Sequence, residues 1–386
     1  MDKKNIWKIY VSIAAISIFN GLQFSLSPVL SNIRDYYRDV DVSLIQMLVT
    51  APALLAMVIS LFSGWLVLRF SYRKLLIFSA LTAGISGFLP FLSVSFGLLL
   101  FSRVLFGIGL GFATTLNVAV VAEFFEGKAR MKAMGFQAAS VGAGMVVVNL
   151  LSGVLGKSGF QNAYFVNILA FVSLLIFIFL LPDTGVVKVS EKAPLKLNKK
   201  VYFLDLLAFL EFLFLISFTT NISMHLSGKI AGDSLVIGLL TGLFSLSQIV
   251  VGLILSRIAR VTKRFTLAVA MASFALGAIL LAANSSAIVL LVVGAVFCGF
   301  SQGIFMPTAL TEISDSVSKE STTLAAATFT CAMNIGQFVS PTVLNNIVKI
   351  CFGNVRTGNV YLIAAIGMVL ASLMVFITKL NDNKTK

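Results

Sequence analysis

The sequence predicts an all-α integral membrane protein whose twelve transmembrane helices form two six-helix pseudo-repeats. Three observations predict it. Of 386 residues, 58% are apolar and only 11% charged, with a mean hydropathy of +1.00, whereas a soluble domain is about half apolar and about a quarter charged. Apolar runs long enough to span a bilayer, ~20 residues each, recur along the chain. Glycine and arginine patterns of the first six runs return in the second six. This composition excludes a soluble globular domain, a disordered tail and a disulfide scaffold, and twelve spans leave no room within the chain for a further domain of ordinary size.

The runs are bounded by charge or turn residues. The first, 7–30, follows Lys3 and Lys4 and carries Asn20, Gln23 and Pro28 where a cleaved leader needs small residues. The second, 43–68, begins after Arg34 and Arg38 and stops at Arg69, Arg73 and Lys74. The third, 75–92, and the fourth, 96–118, are separated by a short turn, and Lys128, Arg130 and Lys132 precede the fifth, 133–155. Lys157 divides that run from the sixth, 163–181, which leads into the longest internal connection, polar and rich in lysine (Lys188, Lys192, Lys196, Lys199, Lys200). The seventh, 201–224, and the eighth, 235–255, flank Lys229, and Arg257, Arg260, Lys263 and Arg264 close the eighth. The ninth and tenth are 265–283 and 287–308; after Lys319 the eleventh covers 322–348, and after Lys349 and Arg356 the twelfth covers 360–377.

With the N-terminus inside, the outer connections hold only Arg34, Arg38, Lys157, Lys229, Lys349 and Arg356 of the 29 basic residues, Arg103 alone lies within a span, and the rest fall inside. The positive-inside rule then puts both termini in the cytoplasm of a multi-pass protein of the cell (plasma) membrane. The formal charge of +14 reads as topology and not as a nucleic-acid footprint. The expected organisation is an N-terminal six-helix half at 1–182, a cytoplasmic linker at 183–200 and a C-terminal six-helix half at 201–386.

The repeat rests on particular residues. Gly64 to Lys74 (GWLVLRFSYRK) closes the second span and Gly252 to Arg260 (GLILSRIAR) the eighth. Gly107 and Gly111 in the fourth span have counterparts in Gly299 and Gly303 of the tenth, and the inner acids Glu123 and Glu312 follow. Two similar halves in one orientation imply an axis along the membrane normal and a cavity between them.

These residues make the sequence resemble the major facilitator superfamily along essentially its whole length. In that family's loop signature between the second and third helices, Gly64, Leu66, Arg69 and Arg73 match, while Leu68 replaces an Asp, Ser71 a Gly and Tyr72 an Arg. The family's Arg-x-x-x-Gly-x-Gly pattern is intact as Arg103, Gly107 and Gly109, and Ala122 to Gly135 looks like its loop between the fourth and fifth helices. The Gly-Pro of many antiporters is absent: Gly142 and Gly144 lead into Met145 and Val146. The resemblance implies a major facilitator fold, alternating access, and an inner gate drawn from Gly64, Arg69, Arg73, Glu123, Arg130, Arg257 and Arg260. It also implies that Arg103 takes part in proton coupling, where a packing arginine held by backbone carbonyls is the plainer reading.

Of the 15 acids, only Glu211 lies near the middle of a span, ~16 Å from the inner end at 1.5 Å per residue. A charge at that depth is costly, so the residue is expected to carry a proton, or else to be a structural acid held between helices. Asp205 and His225 lie near the ends of the same helix, where hydration explains them. Polar stripes mark a candidate substrate cavity: Asn20, Gln23 and Ser27 in the first span; Thr241, Ser245 and Gln248 in the eighth; Thr330, Asn334 and Gln337 in the eleventh. Asn117, Gln137, Asn149, Asn221 and Gln302 are further candidates, with Phe24, Phe136, Phe214 and Phe338 as aromatic lining. For each polar residue, a bond between helices competes with a substrate contact.

No enzyme is expected. Gly156 to Ser158 reads GKS, but Leu151 stands where a phosphate loop needs its first glycine. Cys298, Cys331 and Cys351 and the single histidine lack ligand spacing, so neither metal nor cofactor is expected. The expected activity is secondary active transport, proton-coupled efflux of a small organic compound (drug, sugar or metabolite). The alternatives are an importer of a metabolite or organic anion and, from another class, a non-transporting receptor. Expected partners are the substrate, protons and the lipid bilayer around a monomer.

Overall fold

The computed structural model describes residues 6–93, 95–186, 197–227, 233–283, 287–317 and 321–381. Most of the expected linker lies outside the described residues, as do Lys3, Lys4, Lys229, Lys319, Lys384 and Lys386. The described chain is helical, and ten of its stretches are long and apolar enough to cross a membrane. One of these, Ser234–Ala283, has 50 residues, twice the length of a crossing; it turns at Lys263, where φ is 51°. The eleventh span, a 31-residue helix, is long enough, but Asn334, Gln337 and Asn345 lower its hydropathy. Together these make twelve crossings.

The first span is α1 (Ile6–Gln23), a 3-10 turn at Ser27–Val29 and α2 (Leu30–Tyr36); the second is α3 (Val42–Thr50) and α4 (Pro52–Leu66). The interruptions fall at Pro28 and Pro52, because proline has no N–H for the helical ladder and its ring crowds the preceding turn. The third to fifth spans are α5 (Tyr72–Phe88), α6 (Phe96–Phe124) and α7 (Gly127–Gly156), and the sixth is a 3-10 stretch, Phe160–Asn167, continued by α8 (Ile168–Phe179). The seventh and eighth are α9 (Lys199–Leu226) and α10 (Ser234–Thr262), followed by α11 (Thr266–Ala283), α12 (Ile288–Ser314), α13 (Thr322–Phe352) and α14 (Thr357–Asn381). Several helices outrun their apolar runs by a turn or so, since the ends of a spanning helix need not be apolar to remain helical.

The chain forms two compact units: Met1–Asp41 with Met47–Lys192, and Val42–Gln46 with Ala193–Lys386. In the N-terminal unit the fourth span packs on the second. A Cβ at Gly107 would strike the Pro52 carbonyl, and one at Gly111 would come within 2.8 Å of the Ala56 carbonyl. In the C-terminal unit the tenth span packs on the eighth in the same way, Gly299 against the Phe244 carbonyl and Gly303 against that of Gln248. Small residues spaced four apart let the helix backbones approach this closely, and the glycine pairs do equivalent work in both units.

Candidate functional site

In the N-terminal unit the buried polar centre is Arg103, on α6. Its Nε donates to the Leu48 carbonyl at 2.8 Å, its NH2 group donates to the carbonyls of Gln23 and Leu22, and its guanidinium lies 4.9 Å from the Phe106 ring. Two of these carbonyls, those of Leu48 and Gln23, have a reason to need a donor, while that of Leu22 also accepts from the Ser25 N–H at 3.3 Å. Leu48 stands four residues before Pro52, whose missing N–H orphans it, while Leu22 and Gln23 end α1 at its break. A guanidinium has five donors and keeps its charge, so one side chain serves both interruptions.

The polar stripe of the first span is only partly engaged by protein. Asn117 Nδ2 donates to Ser17 Oγ at 3.0 Å, whereas Asn117 Oδ1 and Gln23 Nε2 are buried without a hydrogen-bond partner. Asn20 and Gln137 are half-buried and Ser27 is buried. Asn149 donates to the Met145 carbonyl of its own helix. Phe24 is buried; Phe136 is exposed and meets Tyr10 edge-on at 4.9 Å.

In the C-terminal unit Glu211, on α9, is fully buried. Ser301 on α12 donates its hydroxyl to Glu211 Oε1 at 2.6 Å, and Oε2 has no hydrogen-bond partner among the described residues. Gln248 Nε2 donates to Gln302 Oε1 at 2.9 Å, joining α10 to α12. Ser245 and Thr330 are satisfied by the carbonyls of Thr241 and Ala326, one turn back in their own helices. Asn334 and Gln337 are buried, and Gln337 Nε2 has no partner. This unit takes in Val42–Gln46, and there Gln46 Nε2 donates to Asn221 Oδ1 at 2.8 Å while Asn345 Nδ2 donates to Gln46 Oε1 at 2.8 Å.

The residues expected at an inner gate belong to both units, Gly64, Arg69, Arg73, Glu123 and Arg130 to the first and Arg257 and Arg260 to the second. Gly64, Glu123, Arg130, Arg257 and Arg260 are exposed, and the exposed Arg69 stacks on Trp65 with its guanidinium 4.0 Å from the ring centre. Arg73 donates to the carbonyls of Phe177 and Ile178 at the end of α8. Ser71, standing where the family signature has glycine, caps α5 by accepting from Lys74 N at 3.5 Å. Its hydroxyl also donates to the Asp183 carboxylate, which with the Gly185 N–H at 3.1 Å holds that acid below the usual carboxylate range. A corner that lacks the signature's Asp thus receives a carboxylate from just beyond the sixth span.

Ser301, Gln46, Asn345 and Ser17 were not singled out from sequence. The available signal was weak: a polar residue inside an apolar run, as with Gln46 in SLIQMLVT. Serines are too common in spans to stand out.

Two matched sets of spanning helices around buried polar centres are the build of a membrane transporter. The family model described as Major Facilitator Superfamily matches residues 13–204 and again 204–386, and the chain belongs to that superfamily. Among curated proteins it is similar to the quinolone resistance protein NorA of Staphylococcus aureus, 24% identical over 237 residues, covering 59% of this chain and 60% of NorA. It is also similar to multidrug resistance protein 2 of Bacillus subtilis, 27% identical over 154 residues, covering 40% of this chain and 38% of that one. The matched region thus spans less than two thirds of either relative. Among solved structures, the POT family transporter PepTSo superposes with a TM-score of 0.82 at 12% identity over 100% of this chain and 99% of that one. The nucleoside transporter NupG gives 0.77 at 13% identity, over 96% and 99%. At such identities the structures speak to the fold alone, and that fold is the major facilitator fold.

Proposed function

We propose that the chain is a secondary active transporter that exports a small organic compound, a drug, sugar or metabolite, in exchange for protons by alternating access, with Glu211 carrying the proton. One observation carries the reading: Glu211 is fully buried in the seventh span, one oxygen held by Ser301 and the other without a partner. A carboxyl group in that setting has an oxygen to protonate, and an ionisable group inside a membrane is functional by default. Similarity to two resistance proteins supports efflux as the direction.

The charge inventory narrows the cargo. Arg103 is engaged by three backbone carbonyls, which disfavours its use by an anionic substrate, and Glu211 suits a neutral or cationic compound that alternates with a proton. Gln23, Asn117 and Gln337, with their unpartnered buried atoms, are the proposed polar contacts. The driving force suffices, since one charge crossing 100 mV is worth about 2.3 kcal/mol, close to a fiftyfold concentration ratio. Residence in the cell membrane as a monomer with both termini cytoplasmic belongs to the same proposal, as does Arg103 acting on coupling by fixing the shape of the first two spans.

Proteoliposomes with an imposed pH gradient and a fluorescent lipophilic cation dye test it. Wild-type protein is expected to accumulate the dye against its gradient, whereas Glu211→Gln abolishes accumulation and retains dye exchange. Undiminished gradient-driven accumulation by Glu211→Gln would overturn the assignment of the proton. No gradient-dependent movement of dye, drugs, sugars, amino acids or organic acids by wild-type protein would favour the receptor reading.

A further inference from the structure

The inner end of α10 carries a stripe of which only the two arginines have an expected role so far, at an inner gate. Leu246, Val250, Leu253, Arg257 and Arg260 follow one another at helical spacing. All five are exposed, the apolar three at 46%, 47% and 77%. The opposite face of α10 is the packed one, where Phe244, Gln248 and Val251 meet Gly299 and Gly303. On a membrane-spanning helix, such a stripe runs through hydrocarbon and ends in two guanidinium groups.

Neither guanidinium has an acidic partner in an ion pair among the described residues. Among the described residues the ion pairs of this unit run to Glu312, from Lys379 at 2.6 Å and Lys200 at 3.7 Å, and neither Arg257 nor Arg260 takes part. Lys263 and Arg264 follow at the turn that ends α10, which adds to the positive charge of this corner. From Leu246 to Arg257 the helix rises ~16 Å, close to the ~15 Å depth of one leaflet's hydrocarbon.

We propose that this stripe is a binding site for an anionic phospholipid, its phosphate held by Arg257 and Arg260 and one acyl chain lying along Leu253, Val250 and Leu246. The guanidinium fork matches phosphate oxygens in pairs, and the apolar residues supply a chain-length track at the depth where the chain must lie. The pair expected from its place in the repeat at an inner gate thereby gains a lipid as its counter-charge. The proposal is independent of proton coupling and of Glu211.

The experiment is native mass spectrometry of the purified chain released from nanodiscs of phosphatidylcholine with and without phosphatidylglycerol, reading the preference for retained phosphatidylglycerol. Wild-type protein is expected to prefer the anionic lipid. Arg257→Gln with Arg260→Gln is expected to lose about fivefold of that preference per charge, about thirtyfold for the pair. Both positions are exposed, and the control pair Arg34→Gln with Arg38→Gln, which removes the same net charge elsewhere, is expected to keep the preference. Leu253→Ser with Val250→Ser tests the track and is expected to weaken retention with both guanidinium groups present. An unchanged preference in the Arg257/Arg260 variant, or an equal loss in the control pair, would overturn the site.

Discussion

Arg103 Nε donates to the carbonyl of Leu48 at 2.8 Å, four residues before Pro52, the residue whose missing N–H leaves that carbonyl without its helical partner. The same side chain reaches the last carbonyls of α1. A charged residue that reads in isolation as a candidate for coupling is thus also the donor set that allows two proline-interrupted spans to exist in a dry interior.

Replacing Arg103 by methionine is therefore expected to lower stability by about 2–5 kcal/mol, three interhelical hydrogen bonds at roughly 0.6–1.7 kcal/mol each, read as thermal unfolding in detergent. Pro52→Ala returns an N–H to Leu48 and is expected to recover part of the loss in a double-mutant cycle. Unchanged stability with transport abolished would instead assign Arg103 to the chemistry.

Ser301 sets the geometry of the Glu211 carboxylate. Ser301→Ala is expected to reduce gradient-driven accumulation severalfold, with Ser301→Thr, which keeps the hydroxyl, close to wild type. Equal activity in all three proteins would remove Ser301 from the proton site.

The paired glycines predict a matched loss. Gly107→Ala in the N-terminal unit and Gly299→Ala in the C-terminal unit each push a Cβ into a backbone carbonyl of the neighbouring span, at a cost of about 1–3 kcal/mol. Gly64→Ala, with nothing within 4 Å of the added atom, is expected to be neutral. Thermal unfolding of the three variants checks this.

Asp183 gives a pH-dependent prediction. Because the Ser71 hydroxyl, the Gly185 N–H and the nearby Lys74 and Arg73 hold its carboxyl below the usual range, its contribution is present above the unfolded value, ~3.9, and is lost as pH falls through the lower folded value. Asp183→Asn is expected to melt slightly earlier than wild type at neutral pH and together with it in strong acid. A difference that persists in acid would show that charge is not the cause.

Much of the fold was legible in the chain. The spans were readable because hydrocarbon demands ~20 apolar residues per helix, and the glycine pairs because close helix approach demands small residues at fixed spacing. The breaks at Pro28 and Pro52 were less so: the apolar runs continue through them, and hydropathy does not register a missing N–H. The eleventh span was read, like the others, as an apolar run bounded by charge, although Asn334, Gln337 and Asn345 weaken its apolar signal.

Of the candidate site, the sequence picked out Glu211 and Arg103 as costly charges within spans, yet it could not say what each touches. Arg103 finds Leu48 across 55 positions, Glu211 finds Ser301 across 90 and Arg73 finds Phe177 across 104. By itself the sequence determined that the chain crosses a membrane in two matched halves, because burial in hydrocarbon constrains composition at every step. Only the tertiary structure decided which polar groups satisfy one another, because in a dry interior each donor must take the acceptor that helix packing brings within reach.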